Sequence, residues 1–371
     1  MSEPGYTDFD RFLMRRAIEL AKRGEGLVEP NPMVGCVITA DQSILGEGWH
    51  PQFGGPHAEV VALQQAGSRA AGSTAYVSLE PCSHHGKTPP CADALIRAGV
   101  RRVVVGVQDP FPEVSGQGIQ RLQTAGIHVD VGLLEEDAKE LIAPFCMRIL
   151  QKRPWVLAKW AMTLDGKIAT RTGHSQWISN PDSRTIVHAI RARMDAIVVG
   201  YNTARHDDPL LTARPAGPRT ACRIVLDSQA RLPLHSQLVQ TASQEQPVVI
   251  VTSQSAPAER CAALEACGCQ IHQLDQNLLN VERIKAFLEY LATQQMTNVL
   301  LEGGGSTFGS FLDAGCIDEA HVFISPRLAG GDQAIGAVGG QGVEIMPDCT
   351  ALKHPTFERI GSDLYVRGRT H

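Results

Sequence analysis

The sequence predicts an α/β protein with two consecutive domains. Apolar runs of strand length alternate with helical stretches along almost the whole chain, a rhythm typical of α/β folds. The rhythm begins again after the polar segment QKRP at 151–154, so we expect one domain over 1–152 and another over 153–371. A chain of 371 residues also exceeds the size at which one hydrophobic core stops growing.

The first domain is predicted to be a three-layer α/β sandwich that opens with an amphipathic helix over 8–23. Its strands are predicted at 33–40, 44–49, 74–79, 102–107 and 127–131. Its other helices are predicted to begin at residues 57, 91, 116 and 135.

The second domain repeats the α/β pattern, with helical stretches between several of its strands. Strands are predicted at 155–162, 196–200, 223–227, 248–252, 298–302 and 321–325. The tail FERIGSDLYVRGR at 357–369 predicts a final strand pair.

The composition is that of an ordinary globular enzyme, with 43% hydrophobic residues. A net charge of −5 disfavours a nucleic-acid-binding protein, which normally has a basic domain. Residues 1–15 carry charges throughout and no apolar run is long enough to span a bilayer, so we expect no signal peptide, no membrane partner and a cytoplasmic location. In that compartment the ten cysteines are expected to be reduced thiols or metal ligands.

The strongest chemical signal is a set of three soft metal ligands beside a carboxylate. His57 and Glu59 follow the breaker run at 54–56 at the start of a predicted helix, and Cys82 follows a predicted strand, with eight residues between it and Cys91. Zinc held by three protein ligands lowers the pKa of its bound water to about 7. A carboxylate beside such a site moves protons in zinc deaminases. The sequence therefore predicts a zinc hydrolase with Glu59 as its acid–base residue.

A closed structural zinc site is the competing interpretation, and it needs a fourth ligand. His50, His84 and His85 are the candidates. Taken singly, each of the predicted ligands is more often a core residue. A second group of cysteines consists of Cys261, Cys267 and Cys269. No His or Cys follows it at the spacing of metal ligands, so we expect these side chains to pack in the protein rather than to bind a metal.

A glycine-rich turn is the main local signal of the second domain, which lacks the G-x-G-x-x-G fingerprint of a Rossmann site. Residues 303–307, GGGST, lie between a predicted buried strand and a helix. Free backbone N–H groups at that position bind phosphate, although glycine also serves ordinary turns there.

The motifs of the first half resemble the deaminase half of the bifunctional riboflavin biosynthesis (RibD) family. The fold of that half is similar to cytidine deaminase. The motifs are PNPMVGCVI at 30–38, GWH at 48–50, GPHAEVVAL at 55–63 and LEPCSHHGKTPPC at 79–91. The eight-residue gap between the two cysteines differs from the two-residue gap of nucleoside and tRNA deaminases. The resemblance implies that Asn31 and His50 hold a pyrimidine and that His84 and Lys87 approach the substrate.

The second half resembles the reductase half of the same family, whose fold is similar to dihydrofolate reductase. The motifs are KWAMTLDGKIAT at 159–170, SQWIS at 175–179, GYNTARHDDPLLTAR at 200–214 and VLLEGGGST at 299–307. The resemblance implies an NADPH site lined by Ala161, Trp177, Thr203, Asp207, Gly304, Gly305, Ser306, Thr307, Phe308, Gly309 and Ser310. It implies substrate contacts from Ser175, Arg191, Leu211, Arg214 and Glu302, and strand alternation adds Lys159.

The resemblance therefore implies two steps of riboflavin synthesis, with Zn²⁺ and NADPH as cofactors. The first is deamination of 2,5-diamino-6-(5-phosphoribosylamino)pyrimidin-4-one, and the second is reduction of the ribosyl group to a ribityl group. We expect a small phosphorylated pyrimidine as the partner, no nucleic acid, and a homo-oligomer. Arg205 and Ser228 are candidates for gripping the 2′-phosphate that distinguishes NADPH from NADH. The alternatives are a tRNA or nucleoside deaminase fused to an unrelated domain, and a zinc-stabilised scaffold without activity.

Overall fold

The computed structural model describes residues 5–83, 89–111 and 115–371. The chain folds into two compact units, one that ends at Lys152 and one that spans Arg153–His371. No helix within the described residues is long and apolar enough to cross a membrane.

The described part of the first unit contains one mixed sheet in the order β2-β1-β3-β4-β5. Its strands are β1 (Gly35–Ala40), β2 (Ser43–Trp49), β3 (Thr74–Leu79), β4 (Arg102–Val107) and β5 (His128–Val131). Its helices are α1 (Asp8–Ala21), α2 (Ala58–Ala66), α3 (Cys91–Arg97), α4 (Gln117–Thr124) and α5 (Glu135–Leu150). Strand β1 is antiparallel to β2 and β3, whereas β3, β4 and β5 are parallel.

Both faces of this sheet are covered, because side chains alternate along each strand. In β1, Val37 packs into the cluster formed with α1 and α5, whereas Cys36 and Ile38 pack into the cluster formed with α2, α3 and α4. The three-layer sandwich predicted from the sequence is therefore confirmed.

Glycines in β2 allow α2 to approach the sheet closely. A Cβ atom on Gly48 would lie 2.2 Å from the carbonyl oxygen of Ala58, in the first turn of α2. This close approach fixes the start of α2, where His57 and Glu59 lie.

Asp10 ties α1 to the sheet. Thr7 caps the helix through its Oγ1, which accepts from the Asp10 N–H, and the Asp10 carboxylate accepts from the Thr7 N–H in return. The Tyr76 hydroxyl and the Arg102 guanidinium donate to Asp10 Oδ1 at 2.7 and 2.8 Å. Burial alone would raise the pKa of Asp10, but the hydrogen bonds from Thr7, Tyr76 and Arg102 lower it to about 2.

The second unit, described over its whole length, is built on one nine-stranded sheet in the order β11-β10-β9-β8-β12-β6-β13-β16-β15. Its strands are β6 (Trp155–Thr163), β7 (Lys167–Ala169), β8 (Ala196–Gly200), β9 (Cys222–Leu226), β10 (Val248–Ser253), β11 (Gln270–Leu274), β12 (Asn298–Leu301), β13 (Glu319–Ser325), β14 (Ile335–Gly336), β15 (Lys353–Ile360) and β16 (Asp363–Arg369). Its helices are α6 (Pro181–Arg191), α7 (Tyr201–Asp207), α8 (Gln237–Gln240), α9 (Ala258–Ala266), α10 (Asn280–Thr293) and α11 (Gly305–Asp313).

The sheet is parallel from β11 to β13 and antiparallel at β16 and β15, the strand pair predicted for the tail. Two apolar clusters pack against its opposite faces, one centred on Ile197 and Ile250 and the other on Phe287 and Phe311. The short strands β7 and β14 pair with each other away from this sheet.

Candidate active sites

A cavity of about 370 Å³ opens at one end of the first unit's sheet, beside the residues predicted to bind a metal. Its lining combines polar groups with an apolar wall: Asn31, Pro32, Val34, His50, Phe53, Gly54, Gly55, His57, Glu59, Leu79, Glu80, Cys82, Asp109, Phe111, Phe145 and Ile149.

The three predicted ligands come from three different elements and meet at this cavity. His57 is the N-cap residue of α2, Cys82 follows β3, and Cys91 is the first residue of α3. His57 Nδ1 lies 3.2 Å from Cys91 Sγ and 3.6 Å from Cys82 Sγ, and all three ligand atoms lie within 4.8 Å of one another.

This donor set fits zinc. One imidazole nitrogen and two thiol sulfurs are the ligands that tetrahedral zinc takes, and three protein ligands leave a position open for water. The Cys82 sulfur also accepts a hydrogen bond from the Cys91 N–H at 3.3 Å. Hydrogen bonding from Cys91 and the neighbouring His57 lower the pKa of the Cys82 thiol, so this sulfur favours the thiolate that a metal needs.

His50 is not arranged as a fourth ligand. Its Nδ1 faces the Pro56 carbonyl oxygen at 3.0 Å, and its Nε2 lies 3.2 Å from Asn31 Nδ2. Both ring nitrogens therefore have hydrogen-bond partners, and the ligand cluster found among the described residues contains His57, Cys82 and Cys91 alone. His84 and His85 lie outside the described residues.

Glu59 differs from the other carboxylates of the cavity. Both Glu80 oxygens accept backbone N–H groups, and Asp109 Oδ1 accepts from the Phe111 N–H at 2.8 Å. Glu59 lies buried in the first turn of α2. Burial, with the nearby Cys82 sulfur adding to it, raises the pKa of Glu59 to about 7, which suits a group that gains and loses a proton near neutral pH.

Of the residues expected to hold a pyrimidine, Asn31 and His50 line the cavity and are joined by the contact described above. Burial lowers the pKa of His50, which favours the neutral ring. His84 and Lys87 lie outside the described residues.

The second unit contains a cavity of about 280 Å³ at the carboxyl ends of three neighbouring parallel strands, β9, β8 and β12. This edge of an α/β sheet is where ligands usually bind. The cavity is lined by Gly200, Tyr201, Asn202, Thr203, Leu226, Ser228, Arg231, Ile284, Gly304, Ser306, Thr307 and Ser310.

Five residues of the predicted NADPH set line this cavity, namely Thr203, Gly304, Ser306, Thr307 and Ser310. Gly304 is the N-cap residue of α11, so the first N–H groups of that helix lie at the cavity. Their orientation and the helix dipole suit a phosphate.

Three other predicted NADPH residues of α11 lie against protein instead. Phe308 is buried and its ring centroid lies 5.5 Å from that of Trp160. A Cβ atom on Gly305 would lie 2.7 Å from the Gly336 carbonyl oxygen, and one on Gly309 would lie 2.2 Å from Gly339. These two glycines therefore allow the segment 336–340 to pack on α11.

Trp177, Asp207 and Ala161 are not in the lining of this cavity. Trp177 is 62% exposed, with the Arg184 guanidinium 4.7 Å above its ring. Asp207 accepts a hydrogen bond from the Ser175 hydroxyl at 2.9 Å. Ala161 packs against a small cluster that contains Phe323.

Lys159, Arg191 and Glu302 form a buried charge cluster. The Arg191 guanidinium donates to both Glu302 oxygens, and Lys159 Nζ lies 2.7 Å from Glu302 Oε2. Two cations against one carboxylate leave a surplus positive charge, which suits an anionic substrate.

The other predicted substrate residues differ in exposure. Leu211 is buried in the core with a positive φ of 53°, whereas Arg214 is exposed. His188, which the sequence did not single out, lies in the electrostatic field of Arg191 and Arg214. Burial and these two cations lower its pKa.

Sequence reasoning also missed the apolar wall of the first cavity and Arg231 of the second. Phe145 and Ile149 lie in α5, far in sequence from the ligand motifs. Arg231 follows β9 and stacks 4.1 Å above the Tyr201 ring. Arg231 could have been predicted as a cavity residue from its position, because it lies three residues after Ser228 and past the end of a buried strand.

Two protein-family models match the chain, one in each of its two units. The model of the cytidine and deoxycytidylate deaminase zinc-binding region matches residues 7–107, and the model of the RibD C-terminal domain matches residues 154–366. The predicted fold classes, a cytidine-deaminase-like sandwich followed by a dihydrofolate-reductase-like domain, are therefore confirmed.

Full-length relatives are similar along nearly the whole chain. The riboflavin biosynthesis protein RibD of Aquifex aeolicus is 41% identical over 360 residues, which cover 97% of this chain and 98% of the relative. A structure of Acinetobacter baumannii RibD is 37% identical with a TM-score of 0.85, covering 98% of this chain and 99% of that one.

A Thermotoga maritima structure of a diaminohydroxyphosphoribosylaminopyrimidine deaminase/5-amino-6-(5-phosphoribosylamino)uracil reductase is 35% identical, with a TM-score of 0.83 over 97% of this chain and 98% of that one. Identity of this size over both units, together with the zinc ligand cluster of the first, makes this chain a member of the RibD family of bifunctional riboflavin biosynthesis enzymes, with a zinc-dependent deaminase unit and an NADPH-dependent reductase unit.

Proposed function

We propose that the chain catalyses two consecutive steps of riboflavin biosynthesis on one phosphorylated pyrimidine. The first unit would deaminate 2,5-diamino-6-(5-phosphoribosylamino)pyrimidin-4-one. The second would reduce the ribosyl group of the product and so form 5-amino-6-(5-phosphoribitylamino)uracil. The observation that carries the proposal is the convergence of His57, Cys82 and Cys91 beside Glu59 in one cavity, in a chain whose full-length relatives are RibD proteins.

In the deamination step His57, Cys82 and Cys91 would hold the zinc, which when bound supplies Lewis acidity that makes water nucleophilic at neutral pH. Glu59 would take one proton from the attacking water and pass it to the ring nitrogen. It would then take the second proton, from the hydroxyl group left on the carbon, and give it to the amino group, which departs as ammonia. A pKa of about 7 allows this carboxyl both to accept and to return a proton near neutral pH.

Asn31 and His50 would hold the pyrimidine in the deaminase cavity. The Asn31 amide can bond ring heteroatoms through its oxygen and its second N–H, and the neutral His50 ring, whose two nitrogens face Pro56 and Asn31, orients that amide at the cavity. His84 and Lys87 are proposed to approach the substrate on the strength of the family resemblance.

In the reduction step NADPH supplies the hydride when bound. Gly304, Ser306, Thr307 and Ser310, with Thr203 opposite, would bind its phosphates in the 280 Å³ cavity. The other predicted cofactor residues stay predictions: Ala161, Trp177, Asp207, Gly305, Phe308 and Gly309. Because Gly305, Phe308 and Gly309 pack closely against protein, only their backbone groups could contact the cofactor.

The charge cluster of Lys159, Arg191 and Glu302 would hold the sugar phosphate of the second substrate. Arginine binds phosphate oxygens in pairs, and Glu302 can accept hydrogen bonds from sugar hydroxyls. Ser175, Leu211 and Arg214 are the remaining proposed substrate contacts. A homo-oligomer and a cytoplasmic location also remain predictions, the latter supported by ten free thiols, all within the described residues.

A coupled assay tests this proposal. The purified full chain is given the diaminopyrimidine ribosyl phosphate and NADPH, and ammonia release and NADPH oxidation are recorded with and without a zinc chelator. We expect ammonia first, loss of ammonia with the chelator, and NADPH oxidation that depends on the deaminated product. Ammonia release that persists in a zinc-free protein would contradict the zinc assignment. NADPH oxidation that fails even when the deaminated pyrimidine is supplied would contradict the assignment of the second unit.

A further inference from the structure

We propose that helix α4 positions both cysteine ligands of the deaminase site, and that Glu80 and Arg121 are the positioning residues that connect it to them. The inference rests on the proposed zinc deaminase function, but it concerns residues other than the metal ligands and the proposed proton carrier; of the two, Glu80 borders the deaminase cavity. Its basis is a set of contacts that reach the chain on both sides of Cys82 and in the first turn of α3.

Glu80 connects the residue pair before Cys82 to the start of α4. Its Oε1 accepts from the N–H groups of Gly118 and Ile119 at 2.9 and 3.2 Å. Its Oε2 accepts from the N–H groups of Asp109 and Gly116 at 3.1 and 3.0 Å. The side chain is 3% exposed, so these charge-assisted bonds form largely out of contact with solvent. One carboxylate therefore accepts from four backbone N–H groups and fixes the start of α4 against the segment that carries Cys82.

Gly118 adds a steric constraint to the same contact. A Cβ atom at this position would lie 1.9 Å from the Pro81 carbonyl oxygen. The backbone of α4 therefore rests directly on the residue before Cys82, at a distance that only glycine permits.

Arg121, one turn further along α4, reaches the chain after Cys82 and the helix that begins at Cys91. Its Nη1 donates to the Ser83 carbonyl oxygen at 3.3 Å, and its Nη2 donates to Asp93 Oδ2 at 2.9 Å. Asp93 lies in the first turn of α3, two residues after Cys91. The guanidinium thus joins the two cysteine-bearing segments to one helix.

The cysteine segments also bond to each other. The Ala92 N–H donates to the Cys82 carbonyl oxygen at 3.2 Å, and the Cys91 N–H donates to the Cys82 sulfur. Fixing Pro81 and Ser83 from one side and Asp93 from the other therefore sets the separation of the two sulfurs. Residues beyond the ligands that orient a metal site typically contribute 10- to 100-fold to metal affinity or activity.

The test uses the full-length protein with two matched pairs of variants. Glu80→Gln keeps the shape of the side chain but turns an acceptor into a donor toward backbone N–H groups, and Glu19→Gln is its exposed control on α1. Arg121→Met keeps an unbranched apolar stem but loses the guanidinium and both hydrogen bonds, and Arg97→Met is its exposed control on α3. Arg121→Lys retains the charge and tests for partial rescue.

Three properties are measured: zinc affinity by competition with a chromogenic chelator, kcat and KM for ammonia release, and NADPH-dependent reduction of the deaminated pyrimidine. We expect Glu80→Gln and Arg121→Met to weaken zinc binding by about 10- to 100-fold and to lower kcat for ammonia release, with Arg121→Lys intermediate. The reduction step and both control variants should stay at the level of the unmodified protein.

Zinc affinity and kcat within twofold of the unmodified protein in both Glu80→Gln and Arg121→Met would overturn the proposal. If Glu80→Gln also loses the reduction step, the protein has misfolded more widely, and the Arg121→Met and Arg121→Lys pair decides alone. If the unmodified protein binds zinc but releases no ammonia, the proposed function fails, whereas the zinc affinities of the variants still test the positioning role.

Discussion

Arg191 and Glu302 face each other as a two-point ion pair, with Nε and Nη2 of the guanidinium 2.5 and 2.9 Å from the two carboxylate oxygens. Both side chains are largely buried, with exposures of 13% and 5%. Burial would raise the pKa of Glu302, but the charges of Arg191 and Lys159 outweigh it and hold that pKa well below its ordinary range. The carboxylate therefore stays charged inside the protein only because its cations are present.

Arg191→Met should destabilise the second unit. Removing one partner of a buried pair leaves an uncompensated charge, a loss of about 3–5 kcal/mol in comparable cases. Urea unfolding followed by fluorescence measures it, with Arg171→Met as an exposed control. A loss no larger than that of the control would show that Lys159 alone suffices for Glu302.

Glu59→Gln should abolish deamination without removing the metal. Gln keeps the size of the side chain but cannot carry the proton, so ammonia release should fall by about 10²- to 10⁴-fold. Zinc content by elemental analysis and reduction of the deaminated pyrimidine should be unchanged. A variant that still releases ammonia at a tenth of the normal rate would exclude Glu59 as the proton carrier, and a variant without zinc would point to a structural role.

Ser306→Asp should weaken NADPH binding. The side chain is exposed in the first turn of α11 at the proposed phosphate site, where a second anion repels the cofactor. We expect the KM for NADPH to rise about tenfold, which corresponds to about 1.4 kcal/mol of binding free energy. This rise would not reflect unfolding, because an Asp in the first turn stabilises a helix. Ser306→Asn is the uncharged control. Equal KM values in the two variants would place the phosphates elsewhere.

Asp10→Asn should lower stability at pH 7 by about 2–3 kcal/mol, because the carboxyl has a pKa of about 2 when folded and about 3.9 when unfolded. Between these values the unfolded chain binds more protons, so the contribution is complete at neutral pH and is lost as the pH falls from about 5 toward 2. Urea unfolding at pH 7 and pH 3 measures the difference in stability between the variant and the unmodified protein, which should fall to roughly half at pH 3.

Asp8→Asn is the matched control for Asp10→Asn, because Asp8 lies in the same helical turn with a fully exposed side chain. It shares the interaction with the helix dipole but not the bonds to Tyr76 and Arg102. A difference that is the same at both pH values would contradict the role assigned to the Asp10 charge.

The bounds of several buried strands could be predicted closely from the sequence. The strands at 74–79, 102–107 and 196–200 have the predicted bounds, because an apolar run flanked by turn residues marks both of their ends. The strand predicted at 33–40 begins at Gly35, and the short strands β7 and β14, of three and two residues, have no pattern long enough to detect.

The candidate sites were less predictable where they depend on contacts distant in sequence. A glutamate before Pro81 has no local feature that marks it as the acceptor of four N–H groups from residues 109–119. The burial of Phe308 and the approach of segment 336–340 to Gly309 likewise arise from tertiary packing. Local motifs predicted ligand types, but not which neighbours would surround them.

The position of β6 in the second sheet affects how this unit folds while it is being synthesised. Strand β6 is the first of the unit, yet its two sheet neighbours are β12 and β13, which begin at Asn298 and Glu319. A ribosome adding about 5–20 residues per second needs roughly 7 to 30 seconds to reach them after β6 is made. During that time the apolar run WVLAKWAM lacks both of its native sheet neighbours, and unpaired apolar strands are prone to aggregation, whereas the described strands of the first unit all pair within residues 35–131.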